Sequence, residues 1–216
     1  TQEQFGMALL LVWTWVKEKI MPLGAFKAAL MGTAGVSTGD VVLLSDTDHS
    51  NVATASITSG ITSTYGEYIF KFYNINPATD GAVFEFQANA TDSTSYDETM
   101  TTTFFNAVHS EDDSTAAALG YSTGTDQAQG TAFQDLSYGI GNGGDESLAG
   151  ELHLFNPSST TYVKHYYSRI NFYDEDDRTY DVFTAGYFNT TTAIDDIQFK
   201  MTSGNFDGTI KMWGVK

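Results

Sequence analysis

The chain has 216 residues, a net charge of −17 and no cysteine. Disulfides, thiolate metal sites, iron–sulfur clusters and thiol catalysis are excluded, and so acidic a surface repels nucleic acid and anionic lipid. With 15 Phe, 12 Tyr and 20 Gly against only 10 Lys and Arg, the composition favours strands and turns over long helices.

The first residues differ from the rest. Glu3, Glu18 and Asp40 balance Lys17, Lys19 and Lys27, so the whole negative charge sits on the remainder. The run FGMALLLVWTWV is too short for a membrane span, which needs about 20 apolar residues, and it lacks the basic start of a signal peptide. Phe5, Leu9, Val12, Val16 and Leu23 follow alternating spacings of four and three, with Lys19 interrupting at the position between the last two, a seam for another helix. Leu10, Leu11, Trp13 and Trp15 lie off that seam, so the helix is apolar nearly all round and expects burial. Pro22 suits the first turn of a second helix, PLGAFKAALM, which Gly32 can end. Residues 1–39 are therefore expected to form a short apolar helical arm that anchors into a partner or a symmetric cluster. The plainer alternative is a helix folded back on its own domain.

From residue 40 to residue 216 the period changes to two, and this stretch is expected to be one acidic β-sandwich domain. Tyr68, Phe70 and Phe72 share one face of GEYIFKFYNI, against Glu67, Ile69, Lys71 and Tyr73 on the other. Ala82, Phe84, Phe86 and Ala88 align likewise, as do Ile197, Phe199 and Met201, and Ile210 with Met212. DVVLLS, NVATASITS, TMTTTFFNAVH, AGELHLFN, TYVKHYYSRINFY and TYDVFTAGYF bring the total to about ten short strands, the pattern of an antiparallel jelly-roll-like sandwich. NPATDG, NPSST and the pair Asp207–Gly208 mark turns. Residues 110–147, rich in Gly, Ser, Asp and Ala, read as long loops and as the place for specific contacts.

Chemistry-bearing patterns are sparse. His153 and His165 are equidistant from Ser159 and would face each other if the hairpin turned there. A closed metal site wants about four ligands, so cross-strand packing is the better account of that pair. Asp46 and Asp48, the run Glu111-Asp112-Asp113, and the run Asp174-Glu175-Asp176-Asp177 are acidic clusters without the spacing of a calcium loop, and read as solvated turns. GIGNGG lacks the strand–helix setting and the Lys-Ser/Thr of a phosphate loop. Glu67, Glu85, Glu98 and Glu151 lie in or near strands and would have to converge in pairs to cleave a glycoside. No residue is assigned a catalytic, cofactor-binding or metal-binding role, and the expectation is a non-enzymatic protein.

The stretches MPLGAFKAALMGTAG, INPATDGAVFEF, LHLFNPSSTTYVKHYYSRI and AGYFNTTTAIDDIQFKMTSGNFDGTIKMWGV resemble a group of short proteins of marine tailed bacteriophages, from about Met21 to the C-terminus. Residues 1–20 fall outside the resemblance. It implies a virion structural protein: an outward-displayed sandwich held to other virion proteins by its arm, tail- or fibre-associated, attaching to a host-surface glycan. A homo-oligomer, with three copies, is the assembly implied. A capsid decoration protein is one alternative, and a secreted carbohydrate-binding module or glycosidase another.

Overall fold

The structure, a computed structural model, describes residues 40–113 and 117–216. The expected helical arm lies outside the described residues. Among those described there is no helix. Thirteen strands form two antiparallel sheets: β1 (Val41–Val52), β2 (Thr54–Ile57), β3 (Glu67–Pro77), β4 (Ala82–Ala90), β5 (Met100–Ser110), β6 (Ala118–Tyr121), β7 (Ala128–Gly130), β8 (Gln134–Ile140), β9 (Leu148–Phe155), β10 (Lys164–Tyr173), β11 (Arg178–Phe188), β12 (Ile194–Met201) and β13 (Phe206–Val215). The larger sheet runs β1-β13-β3-β9-β10-β11-β5-β6, with β7 also paired to β5, and the smaller runs β2-β12-β4-β8.

The two sheets pack as a β-sandwich-like fold on a layer of aromatic rings. The period-two pattern is what builds it, since alternate residues of a strand point to one face. Phe70 and Phe72 of β3 meet Phe84 of β4 and Phe199 of β12, with ring centroids 5.1–5.6 Å apart. Phe86 of β4 meets Tyr166 of β10 at 5.0 Å, edge to face. All six side chains are buried. Fully burying a side chain of this size is worth about 1.5–3 kcal/mol, so each ring of this layer contributes substantially to folding.

Both faces of β4 are buried. Ala82, Phe84, Phe86 and Ala88 point inward as their spacing predicts, while Glu85, Gln87 and Asn89 lie under cover on the other side. The Gln87 amide donates to the carbonyls of Glu98, Thr131 and Ala132, tying the β4–β5 and β7–β8 connections over this face. A buried amide must find partners, and these loops supply them.

The reading of residues 110–147 as long loops is corrected, because three strands lie there. The inner face of β8 alternates Gln134, Leu136, Tyr138 and Ile140. Half of that face is polar, so its period does not show as hydrophobicity. It is satisfied by polar residues of β5: Thr102 donates to Gln134 Oε1 at 2.7 Å and Tyr138 donates to Asn106 Oδ1 at 3.3 Å.

One irregularity shapes the larger sheet. The β3–β9 register slips between Phe72 and Ile75, and the β3–β13 register slips between Asp207 and Thr209. Asn74 takes left-handed backbone, with φ at 51°, and Gly208 lies at +136°. A Cβ on Gly208 would sit 2.8 Å from the Asn74 carbonyl oxygen, so only glycine fits. The bulge leaves Tyr73 and Asn74 both exposed and returns Ile75 to the core.

Candidate functional site

The outer face of the larger sheet carries the richest arrangement of side chains. Strand register lines up one residue from each of eight strands in a single row: Asp46, Lys211, Lys71, Glu151, Arg169, Phe183, Phe105 and Tyr121. Strands lie about 4.8 Å apart, so the row is about 33 Å long. One part is charged and the other aromatic. Lys211 pairs with Asp46 at 2.9 Å and Lys71 with Glu151 at 3.4 Å. Arg169 grips Asp181 with two hydrogen bonds, of 3.1 and 2.9 Å, and its guanidinium lies 5.2 Å above the Phe183 ring. Phe183 in turn stacks on Phe105 at 4.9 Å with the rings nearly parallel. Between β3, β9, β10 and β11 the face dips into a groove of about 500 Å³ lined by Lys71, Tyr73, Glu151, Arg169, Asn171 and Asp181.

Beside the groove, Glu67 and Glu151 converge on His153. Nδ1 donates to Glu67 Oε1 at 2.5 Å, and Nε2 lies 3.3 Å from Glu151 Oε1, off the line of a directed hydrogen bond. Tyr167 stacks on the imidazole at 4.5 Å. Burial opposes the charge of Glu151, but His153 and Lys71 outweigh it and hold the carboxyl below its ordinary range. Burial, with Glu67 and Glu151 nearby, pushes the Tyr167 hydroxyl up. The imidazole thus lies within reach of both carboxylates. The arrangement suits binding: carboxylates accept from sugar hydroxyls, Lys and Arg donate to them, and exposed rings offer stacking faces.

The other residues singled out from sequence are dispersed. His165 does not face His153. The β9–β10 register opposes His153 to Tyr167, one residue beyond a turn centred on Ser159, and His165 sits opposite Tyr187 of β11 instead. Glu85 is buried and paired to Lys200 at 2.8 Å, with Asp135 opposite it on β8. Burial, and then Glu85, push the Asp135 carboxyl up to about 6. Glu98 accepts from the Ala90 amide at 3.2 Å. Asp46 and Asp48 lie within strand β1 rather than in a turn, and Asp48 accepts from Thr209. Asp174 closes the β10–β11 hairpin: it accepts from the amides of Asp176 and Arg178 and from the Arg178 side chain. Among the described residues no group of three or more His, Asp or Glu is placed to hold a metal ion.

Arg169, Asp181, Asn171 and Phe183 are groove and row residues that sequence reasoning did not single out. The available signal was scarcity. The chain has two arginines, both in the β10–β11 hairpin, and arginine is the residue that pairs carboxylates in a fork geometry. Comparison with protein-family models, with curated proteins and with solved structures finds no match.

Proposed function

We propose that this chain is a structural protein of a bacteriophage virion, a displayed jelly roll that attaches to a host-surface glycan from the tail or its fibres. The observation that carries the reading is strand order. The larger sheet contains the run β1-β13-β3-β9 and the smaller is β2-β12-β4-β8, which fits the strand order of an eight-stranded jelly roll, an architecture of viral capsid and lectin domains. On this reading β5–β7 and the hairpin β10–β11 are two insertions that widen one sheet. The groove lies where β10 and β11 join the original four strands, and the row of charged and aromatic side chains gives an extended glycan a track to lie on.

The arm, residues 1–39, serves as the anchor to other virion proteins and to further copies of this chain, with three copies the expected assembly. Its Phe5, Leu9, Val12, Val16 and Leu23 seam would bury several side chains worth about 1.5–3 kcal/mol each. The −17 charge keeps nucleic acid off the body. The test is the location of the chain in purified particles by cryo-electron microscopy. Density on the tail supports attachment, density on the capsid lattice supports decoration instead, and absence from particles refutes both. Removing residues 1–20 should lower the mass measured by light scattering, and an unchanged mass with normal incorporation would sink the anchor.

A further inference from the structure

A second surface, away from the groove, has the chemistry of a ligand site. The β2–β3 connection and the β9–β10 connection meet in a depression of about 400 Å³ lined by Ser63, Tyr65, Gly66, Asn156, Ser159 and Tyr162, with Ser158 beside them. No charged side chain lines it, in a body whose acids greatly outnumber its bases.

The frame is tied down. The Asn156 amide donates to the Gly66 carbonyl at 2.7 Å, and the Gly66 amide to the Val215 carbonyl at 3.0 Å, joining the two connections and the last strand. Ser159 Oγ accepts from the Thr161 and Tyr162 amides, which sets the turn that carries Tyr162. The Ile194 amide donates to the Pro157 carbonyl, fastening the same loop to β12. Tyr65 is seated over Gly214, where a Cβ would lie 2.5 Å from the ring, and it meets Tyr68 edge to face at 5.8 Å.

The groups that face solvent are free. Among the described residues none hydrogen-bonds the hydroxyls of Ser63, Ser158 or Tyr162, and Tyr162 is 74% exposed with no ring packed against it. Tyr162 therefore offers an open ring face at the rim of the depression.

We infer that this depression is a binding site for a neutral saccharide, with Tyr162 as its stacking platform. Sugar hydroxyls both donate and accept, as Ser, Tyr and Asn side chains do. The apolar face of a pyranose fits a tyrosine ring. The absence of lysine or arginine removes any reason for an anionic ligand to settle here, and the acidic body repels one. The fixed frame limits the ordering cost of binding. The inference shares the glycan class with the attachment reading and rests on it only for the biological source of the ligand.

The test uses the full chain on an array of neutral hexose and N-acetylhexosamine oligosaccharides, with sialylated ones as comparison. Neutral ligands are expected to bind. Tyr162→Ala should weaken them by about two- to tenfold, the equivalent of one lost ring contact, and Tyr162→Phe should keep most of the affinity. Leu119→Ala, an exposed side chain of β6 outside both the groove and the depression, should leave this binding unchanged. Neutral binding that is indifferent to Tyr162→Ala, or no neutral binding at millimolar sugar, overturns the inference. Particle location judges the virion reading separately, so the failure of one is not mistaken for failure of the other.

Discussion

Asp135 offers the sharpest test of the electrostatics. Its carboxyl is driven from an ordinary 3.8 up to about 6 by burial and by Glu85 across the β4–β8 pair. The native state thus holds this proton more tightly than the unfolded chain. Stability from this group is fully present below the unfolded value near 3.8, and is lost as pH rises through the folded value near 6. Each tenfold change in proton affinity is worth about 1.4 kcal/mol, which gives an upper bound of about 3 kcal/mol. Solvent screening of a partly exposed group reduces that to about 1–2 kcal/mol. Asp135→Asn keeps the shape and removes the titration. Urea unfolding of both proteins, followed at each pH from 4 to 8, should show equal stability at pH 4 and a gain of about 1–2 kcal/mol for the variant at pH 7–8. The other acids titrate in both proteins and largely cancel in the difference. A difference that is the same at pH 4 and pH 7, or a variant less stable than the parent at pH 7, would refute the reasoning.

Three further expectations concern the fold and the groove. Phe199→Ala empties the centre of the aromatic layer, where Phe70, Phe72, Phe84 and Phe86 all meet that ring; it should cost about 3–5 kcal/mol by denaturant unfolding, and a loss under about 1 kcal/mol would mean the sheets do not pack as described. Gly208→Ala forces a Cβ against the Asn74 carbonyl at a backbone angle of +136° and should destabilise by more than about 1 kcal/mol, with no loss counting against the bulge. The lowered Glu151 carboxyl contributes stability that is present above its ordinary range and is lost as the pH falls through its folded value; Glu151→Gln should flatten the acid limb of the stability profile, and an unaltered limb would show that the His153 and Lys71 contacts carry no energy.

The sequence by itself determined the sheet-forming segments and their inward faces. Tyr68, Phe70, Phe72, Phe84, Phe86, Ile197, Phe199, Ile210 and Met212 are all buried, as their alternation requires, because a strand's period of two is a local property of the chain. β8 escaped notice because its inner face spends Gln134 and Tyr138 on hydrogen bonds to β5, and a polar inner face looks like a loop. Which carboxylates and rings would meet was decided only by the tertiary structure. Glu67, His153 and Glu151 converge, and Asp46, Lys211, Lys71, Glu151, Arg169, Phe183, Phe105 and Tyr121 fall in one row, because of strand order and register. A shift of a single residue in one strand sends its row member to the opposite face. The turn at residues 156–163 shows the same limit on a small scale: a pairing register one residue past the symmetric centre separated two histidines that the spacing had seemed to bring together. Register is set by how each strand's buried side chains fit the facing sheet, and that fit exists only once both sheets are in place.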